Sequence, residues 1–349
     1  MAKWKTYILA FLLLCVTGAQ AADELSSSTQ VYLITCTPGE DLYTRYGHTA
    51  IRIRDSVNDI DGIFNYGTFD FNTEHFYWKF MRGETWYELG LEYPFYWFER
   101  AYNDQNRQVY WQELNLHLSE KQALWDALWE NYKPENKKYL YNFVFDNCAT
   151  RPYQMILSAC GNAIESDYTG YTGSSFRTIL RRYTGSLSWA NAGINLLFGP
   201  RADRKMNSEQ RLFLPEELMN YIQQAHRTDT GEPFILNSNI ASFEPVHTPW
   251  YASWPLGLTL YFLFVAGISY YDRRRRKWSW WVELVAGVPY VLLLLLVGFL
   301  TFFSCHPLVG FGWRLLIIPV THLCARLIYI ISWPSDCCSA LRRWWPHRD

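Results

Sequence analysis

Hydrophobic and polar positions follow a different period in each part of the chain. Lys3 and Lys5 precede an apolar run from Tyr7 to Val16, and Ala19-Gln20-Ala21 follow it. A basic start, a short apolar core and small residues at its end predict a secretory signal peptide over 1–21. From Gln30 the period becomes two. Gln30 to Cys36 reads as a strand. His48 to Arg54 alternates, with Thr49, Ile51 and Ile53 on one face and His48, Ala50, Arg52 and Arg54 on the other. Turn chemistry across Asn58-Asp59-Ile60-Asp61-Gly62 returns the chain as Ile63 to Phe69, which predicts a β-hairpin.

Val109 to Leu116 predicts another strand. Ser119 and Gln122 have capping-box spacing ahead of an amphipathic helix bearing Leu124, Leu128 and Trp129. The aromatic stretch Tyr139 to Phe145 predicts a strand or extended arm. Tyr153, Ile156, Leu157 and Cys160 then recur at helical spacing, and Pro152 fits only the first turn of that helix. Leu214-Pro215-Glu216-Glu217 opens a later helix with proline and acids in its first turn.

From Trp254 the polar positions thin out. Segments 254–271, 281–303 and 311–331 are each long enough to cross a bilayer core. The run Arg273 to Lys277 falls between the first and second, and Arg342, Arg343 and Arg348 follow the third. Three crossings put both basic groups on the cytoplasmic side and the exported part outside. The expected organisation is a signal peptide (1–21), an exported α+β domain (22–250) and a membrane domain (251–349) with three transmembrane helices and a short cytoplasmic tail.

Composition narrows the function. Lys+Arg 32 against Asp+Glu 33 gives a net charge of −1, so no global field favours nucleic acid, and 18% aromatics exclude disorder. Of 8 cysteines, the exported part keeps Cys36, Cys148 and Cys160. An odd number leaves at least one thiol free; a Cys36–Cys160 disulfide is one pairing and leaves Cys148 unpaired. No Cys/His spacing matches a zinc site, and neither metal nor soluble cofactor is expected.

Cys148, at or just before a helix start, is the candidate nucleophile. A helix N-terminus and a nearby imidazolium both lower a thiol pKa, and His48 is placed to supply the second. A third group must orient the imidazole, and the strand beside His48 offers Asn65, with Tyr66 and Thr68 as alternatives. The bland alternative is an inert buried thiol.

Tyr46-Gly47-His48-Thr49-Ala50-Ile51-Arg52, then Phe64-Asn65-Tyr66-Gly67-Thr68-Phe69-Asp70-Phe71, then Asp146-Asn147-Cys148-Ala149-Thr150-Arg151-Pro152 resemble the Lnb-type periplasmic domain of the lipoprotein N-acyltransferases of Bacteroides and relatives. Gly199-Pro200-Arg201-Ala202-Asp203, Phe213-Leu214-Pro215 and the C-terminal spans are similar to its later parts. The order of histidine strand, polar group and Asn-Cys at a helix start also resembles the permuted papain-like fold of NlpC peptidases and lecithin:retinol acyltransferase. The resemblance implies an inner-membrane enzyme with its catalytic domain in the periplasm. It would move a fatty acyl group from a phospholipid through a Cys148 thioester to the amine of a diacylated lipoprotein. Cys148, His48 and Asn65 would be catalytic, with Asn147, Asp146, Arg151 and Tyr46 in support. The rival readings are a phospholipase or thioesterase, a cell-wall cysteine peptidase, and a non-enzymatic membrane-anchored binding module.

Overall fold

The computed structural model describes residues 24–275 except 42, 71–73, 75–78, 80–84, 199–201 and 245, with isolated positions at 280, 281, 287 and 292. The signal segment, the third expected span and nearly all of the second lie outside the described residues. Close contacts divide the chain into two units. The first comprises residues up to Ile179 together with Lys205–Pro245; the second joins Leu180–Arg204 to the chain from Val246 onward.

The first unit is built on an antiparallel sheet. Its strands are β1 (Gln30–Cys36), β2 (His48–Asp55), β3 (Ile60–Thr68), β4 (Trp86–Glu92), β5 (Val109–Leu114), β6 (Lys138–Leu140) and β9 (Ile235–Asn239), in the order β6-β4-β3-β2-β1-β5-β9. A separate pair joins β7 (Ile164–Ser166) to β8 (Ala225–Arg227). Strand β1 lies in the interior of the sheet, and Val31 to Cys36, apolar except for Thr35, is buried on both faces. Pleating sends Val31, Leu33, Ile51, Ile53 and Phe64 to one face, against Leu124, Leu128, Ile156 and Ile222. These come from helices α2 (Leu118–Tyr132), α3 (Thr150–Ala159) and α6 (Pro215–Gln223). Tyr32, Ile34, Ala50 and Ile63 face the other way and pack on Phe98, with Phe95 and Tyr102, from helix α1 (Phe95–Asn103). The alternation read from the sequence therefore sorts the residues correctly, and His48 shares a face with Ala50.

Several expectations shift. The hairpin turn is tighter than its polar stretch implies: β3 already begins at Ile60, and Asp59 takes the left-handed conformation at φ +55°. Helix α2 starts before Ser119, because the Glu120 carboxylate accepts the His117 N–H at 2.7 Å; Gln122 instead accepts the Leu25 N–H. The aromatic stretch from Tyr139 yields only the short β6. Asn142 Oδ1 accepts the N–H groups of Val144 and Phe145, and the Asn142 and Asp146 backbones pair, so local hydrogen bonds close a loop in place of a strand. No disulfide forms between Cys36 and Cys160. Both are free thiols, in the clusters on opposite faces of the sheet.

The second unit holds the C-terminal end of α4 (Phe176–Thr184), α5 (Trp189–Phe198) and the apolar α7 (Trp254–Arg275). At 22 residues, α7 is long and apolar enough to span a bilayer, and its last turn carries Arg273, Arg274 and Arg275.

Asp55, at the end of β2, ties the N-terminal segment to the sheet. Its carboxylate accepts the Ser26 N–H and hydroxyl, the Thr29 hydroxyl and the Val57 N–H at 2.6–3.0 Å. Burial pushes this carboxyl up, but hydrogen bonds from Ser26, Thr29 and Val57 outweigh it and hold the group well below its ordinary value. A depressed native pKa gives stability that is present above the unfolded carboxylate value and lost as pH falls through the native one. Asp55→Asn should therefore lower the melting temperature at pH 7, and the gap to wild type should narrow as the pH is taken below the ordinary carboxylate range.

Candidate active site

Glycines flank both halves of the site. Gly47, at φ +79°, turns the chain into β2, and a Cβ there would lie 2.8 Å from the Cys36 carbonyl. Gly67, at φ +91°, sits at the irregularity between Tyr66 and Thr68 in β3, where a Cβ would meet Cys148 Cβ at 3.4 Å. The chain can thus bring Cys148 against the end of β3.

Asn147 fixes the cysteine turn. It is almost fully buried, and its Oδ1 accepts the N–H groups of Ala149 and Thr150, the first donors of α3. Its Nδ2 donates to the carbonyls of Phe143 and Phe213, both at 2.8 Å. Asp146 and Arg151 form a two-pronged ion pair across the same turn, and the guanidinium lies 3.6 Å from the centre of the Tyr139 ring. Arg151 thus braces the loop. Tyr46 packs edge-on against Phe143.

Cys148 is 8% exposed. Burial pushes its thiol up, while hydrogen bonds from the Thr49 N–H, the Tyr141 hydroxyl and its own N–H pull it down, as does the Arg107 guanidinium. Burial prevails. The expected lowering by a helix start is therefore outweighed, and the resting sulfur is a thiol. Its contact with the N–H of Thr49, the residue after His48, brings the two halves of the site together.

His48 lies across the sheet from Cys36 and stacks on Tyr102 of α1, with ring centres 6.1 Å apart. Its Nε2 is 2.5 Å from Asn65 Oδ1, and Asn65 Nδ2 donates to Glu92 Oε1 at 2.6 Å. Glu92 accepts from the amide nitrogen, so Asn65 turns its oxygen to the imidazole. Nε2 must then carry the proton, and Nδ1 keeps the lone pair. The ring is walled in although part of its surface reaches solvent. Burial holds it down to about 4; the Asn65 hydrogen bond opposes this and the Arg107 guanidinium adds to it. It is neutral at pH 7, not the imidazolium anticipated from the sequence. The alternatives to Asn65 are engaged elsewhere: the Tyr66 hydroxyl donates to Asn131 and the Thr68 hydroxyl to the Glu88 carbonyl.

Sequence reasoning missed Glu92 and Arg107. Glu92 sits opposite Ile63, two positions beyond the Gly90 that faces Asn65, so its approach depends on strand register. Arg107 is buried, donates to the Thr37 carbonyl and lies over Tyr102. Among the described residues, His117, Glu120 and Asp229 have metal-like proximity, but the buried Arg227 guanidinium already pairs with both carboxylates at 2.7–2.9 Å.

Asn147→Asp keeps the shape and the two accepted hydrogen bonds but removes both donations, and turns a carboxylate oxygen toward the Phe143 and Phe213 carbonyls. We expect a loss of about 1–3 kcal/mol per stranded carbonyl, read as a lower melting temperature, with faster alkylation of Cys148 as its turn loosens.

Two family models match the chain: the Lnb N-terminal periplasmic domain over residues 19–182 and the Lnb transmembrane domain over residues 242–344. No curated protein and no solved structure matches it significantly. The chain is a membrane protein with a periplasmic portion, and it belongs to the Lnb-type family, which is associated with lipoprotein modification.

Proposed function

We propose that the protein is an inner-membrane lipoprotein N-acyltransferase. It takes a fatty acyl group from a phospholipid onto Cys148 and passes it to the N-terminal amine of a diacylglyceryl-cysteine lipoprotein. The observation that carries this reading is that the Asn65-oriented imidazole of His48 immediately precedes Thr49, whose N–H holds the buried Cys148 thiol, in a family associated with lipoprotein modification. The order of these residues along the chain, on an antiparallel sheet with a helix after the cysteine, adds a fold-level analogy to the permuted papain-like acyltransferases.

The reaction starts from a neutral pair. His48 Nδ1 takes the Cys148 proton as sulfur attacks the phospholipid ester carbonyl, so the thiolate forms only in the transition state. In this scheme the Cys148 N–H stabilises the oxyanion. Collapse expels the lysophospholipid alkoxide, which receives the proton from His48, and leaves a thioester. The lipoprotein amine then attacks the thioester and gives a proton to His48. Collapse forms the amide and returns the proton to the departing sulfur. Tyr87 and Tyr141, stacked 4.2 Å apart, and Tyr139 crowd the thiol, and this aromatic wall would favour aminolysis over hydrolysis by leaving little room for water.

Mass spectrometry of lipoprotein N-termini should find the third acyl chain in cells with the wild-type protein and not with Cys148→Ala or Cys148→Ser, although both variants accumulate in the membrane. Triacylated products from either variant would sink the assignment. Glu92 acts as a positioning residue through Asn65. Asn65→Asp alone sets two carboxylates where a 2.6 Å hydrogen bond stood, and acyl transfer should fall. Adding Glu92→Gln restores a donor to the new carboxylate, and activity should recover by about tenfold over the single variant. If the double variant is no better than Asn65→Asp, Glu92 does not act through this amide.

A further inference from the structure

The segment from 183 to 241 lies between the two matched family models. We propose that α5 (Trp189–Phe198), within that segment, is an interfacial membrane helix whose partner is the phospholipid bilayer. From Tyr183 to Pro200 the sequence contains no Asp, Glu, Lys or Arg, whereas Arg182 and Arg201 bracket it. The outer face of a helix in water ordinarily carries charge.

Three polar side chains of this stretch, Thr184, Ser188 and Asn191, are satisfied within it or by the adjoining turn of α4. The buried Thr184 hydroxyl lies within hydrogen-bond distance of the Leu180 carbonyl and Asn191 Oδ1, at 3.1 and 3.2 Å. The Ser188 hydroxyl donates to the Thr184 carbonyl at 2.5 Å. Asn191, also buried, donates from Nδ2 to the Ser186 carbonyl at 2.8 Å. Internal satisfaction of this kind is what a lipid environment demands, since hydrocarbon offers no partners. Leu187 and Trp189 point outward instead, 43% and 55% exposed.

The helix is continuous with the membrane-spanning surface of its own unit. The Leu187 carbonyl accepts the N–H of Trp254, the first residue of α7, at 3.0 Å, and the Arg182 carbonyl accepts the Val246 N–H at 3.1 Å. Gly257, in the first turn of α7, lets the Trp189 indole pack close: a Cβ there would lie 2.7 Å from it. Trp250 and Tyr251, both strongly exposed, stand just ahead of the span, where an aromatic belt marks the boundary of a bilayer. With 10 residues, α5 is about 15 Å long and cannot cross a core of about 30 Å, so it lies along the surface.

The test places a photoreactive diazirine amino acid at position 187 or 189 of the full chain in its native membrane, with the exposed Val57 of the first unit as control. Irradiation should give phospholipid adducts, identified by mass, at 187 and 189 and none at 57. Adducts to another protein or to a second copy of the chain would overturn the proposal, and so would insertion of water alone. Should the 189 variant fail to accumulate because its indole packs on Gly257, position 187 decides the matter.

Discussion

The orientation of one side-chain amide governs the chemistry available at this site. Asn65 can present oxygen or nitrogen to His48, and each choice fixes a different imidazole tautomer. Glu92 removes the choice by accepting from the nitrogen. Only then is Nε2 the protonated nitrogen, and Nδ1 keeps the lone pair that the proposed reaction uses. A carboxylate in direct contact with the ring would fix the tautomer too, but it would also raise imidazole basicity strongly. Inserting a neutral amide keeps the ring neutral in its walled-in surroundings, where burial already holds it down to about 4.

That arrangement requires unusual backbone geometry where the two halves meet. His48 follows a glycine at φ +79°, and Cys148 rests against another at φ +91°. Residues with a Cβ are disfavoured in this region. The cysteine turn has almost no local freedom, since both ends of the Asn147 amide are engaged and Asp146 clamps Arg151. Rigidity of this kind would serve the proposed nucleophile, a thiol at rest, because geometry must be in place before the proton moves.

Much of this was legible in the sequence, and the boundary of legibility follows the range of the interactions. Strand alternation placed His48 opposite Ile51 and Ile53, and Pro152 and Pro215 marked first helical turns, because each signal is written within a few residues. Tyr139 to Phe145 misled because β-propensity is a weak preference that the Asn142 side chain overrides locally. Glu92 was invisible since it reaches Asn65 only through the register of β3 on β4. The suggested Cys36–Cys160 bridge failed for the same reason: counting thiols carries no information about which face of a sheet each occupies. The protonation state was misjudged because a helix start and a histidine are local features, whereas burial of the thiol is a property of the whole fold.

A neutral, buried thiol also answers a problem posed by its compartment. Outside the cytoplasm an exposed thiolate is readily oxidised or drawn into mixed disulfides. Cys148 is shielded by tyrosines, and no disulfide claims it. Cys36, buried on the other face, is likewise pushed well up by desolvation. In the proposed reaction, reactivity depends on a substrate that brings its carbonyl to the sulfur while His48 takes the proton. A long acyl chain, as that reaction requires, would pack against the surrounding tyrosine rings and so displace the water and small polar oxidants that compete for the same atom.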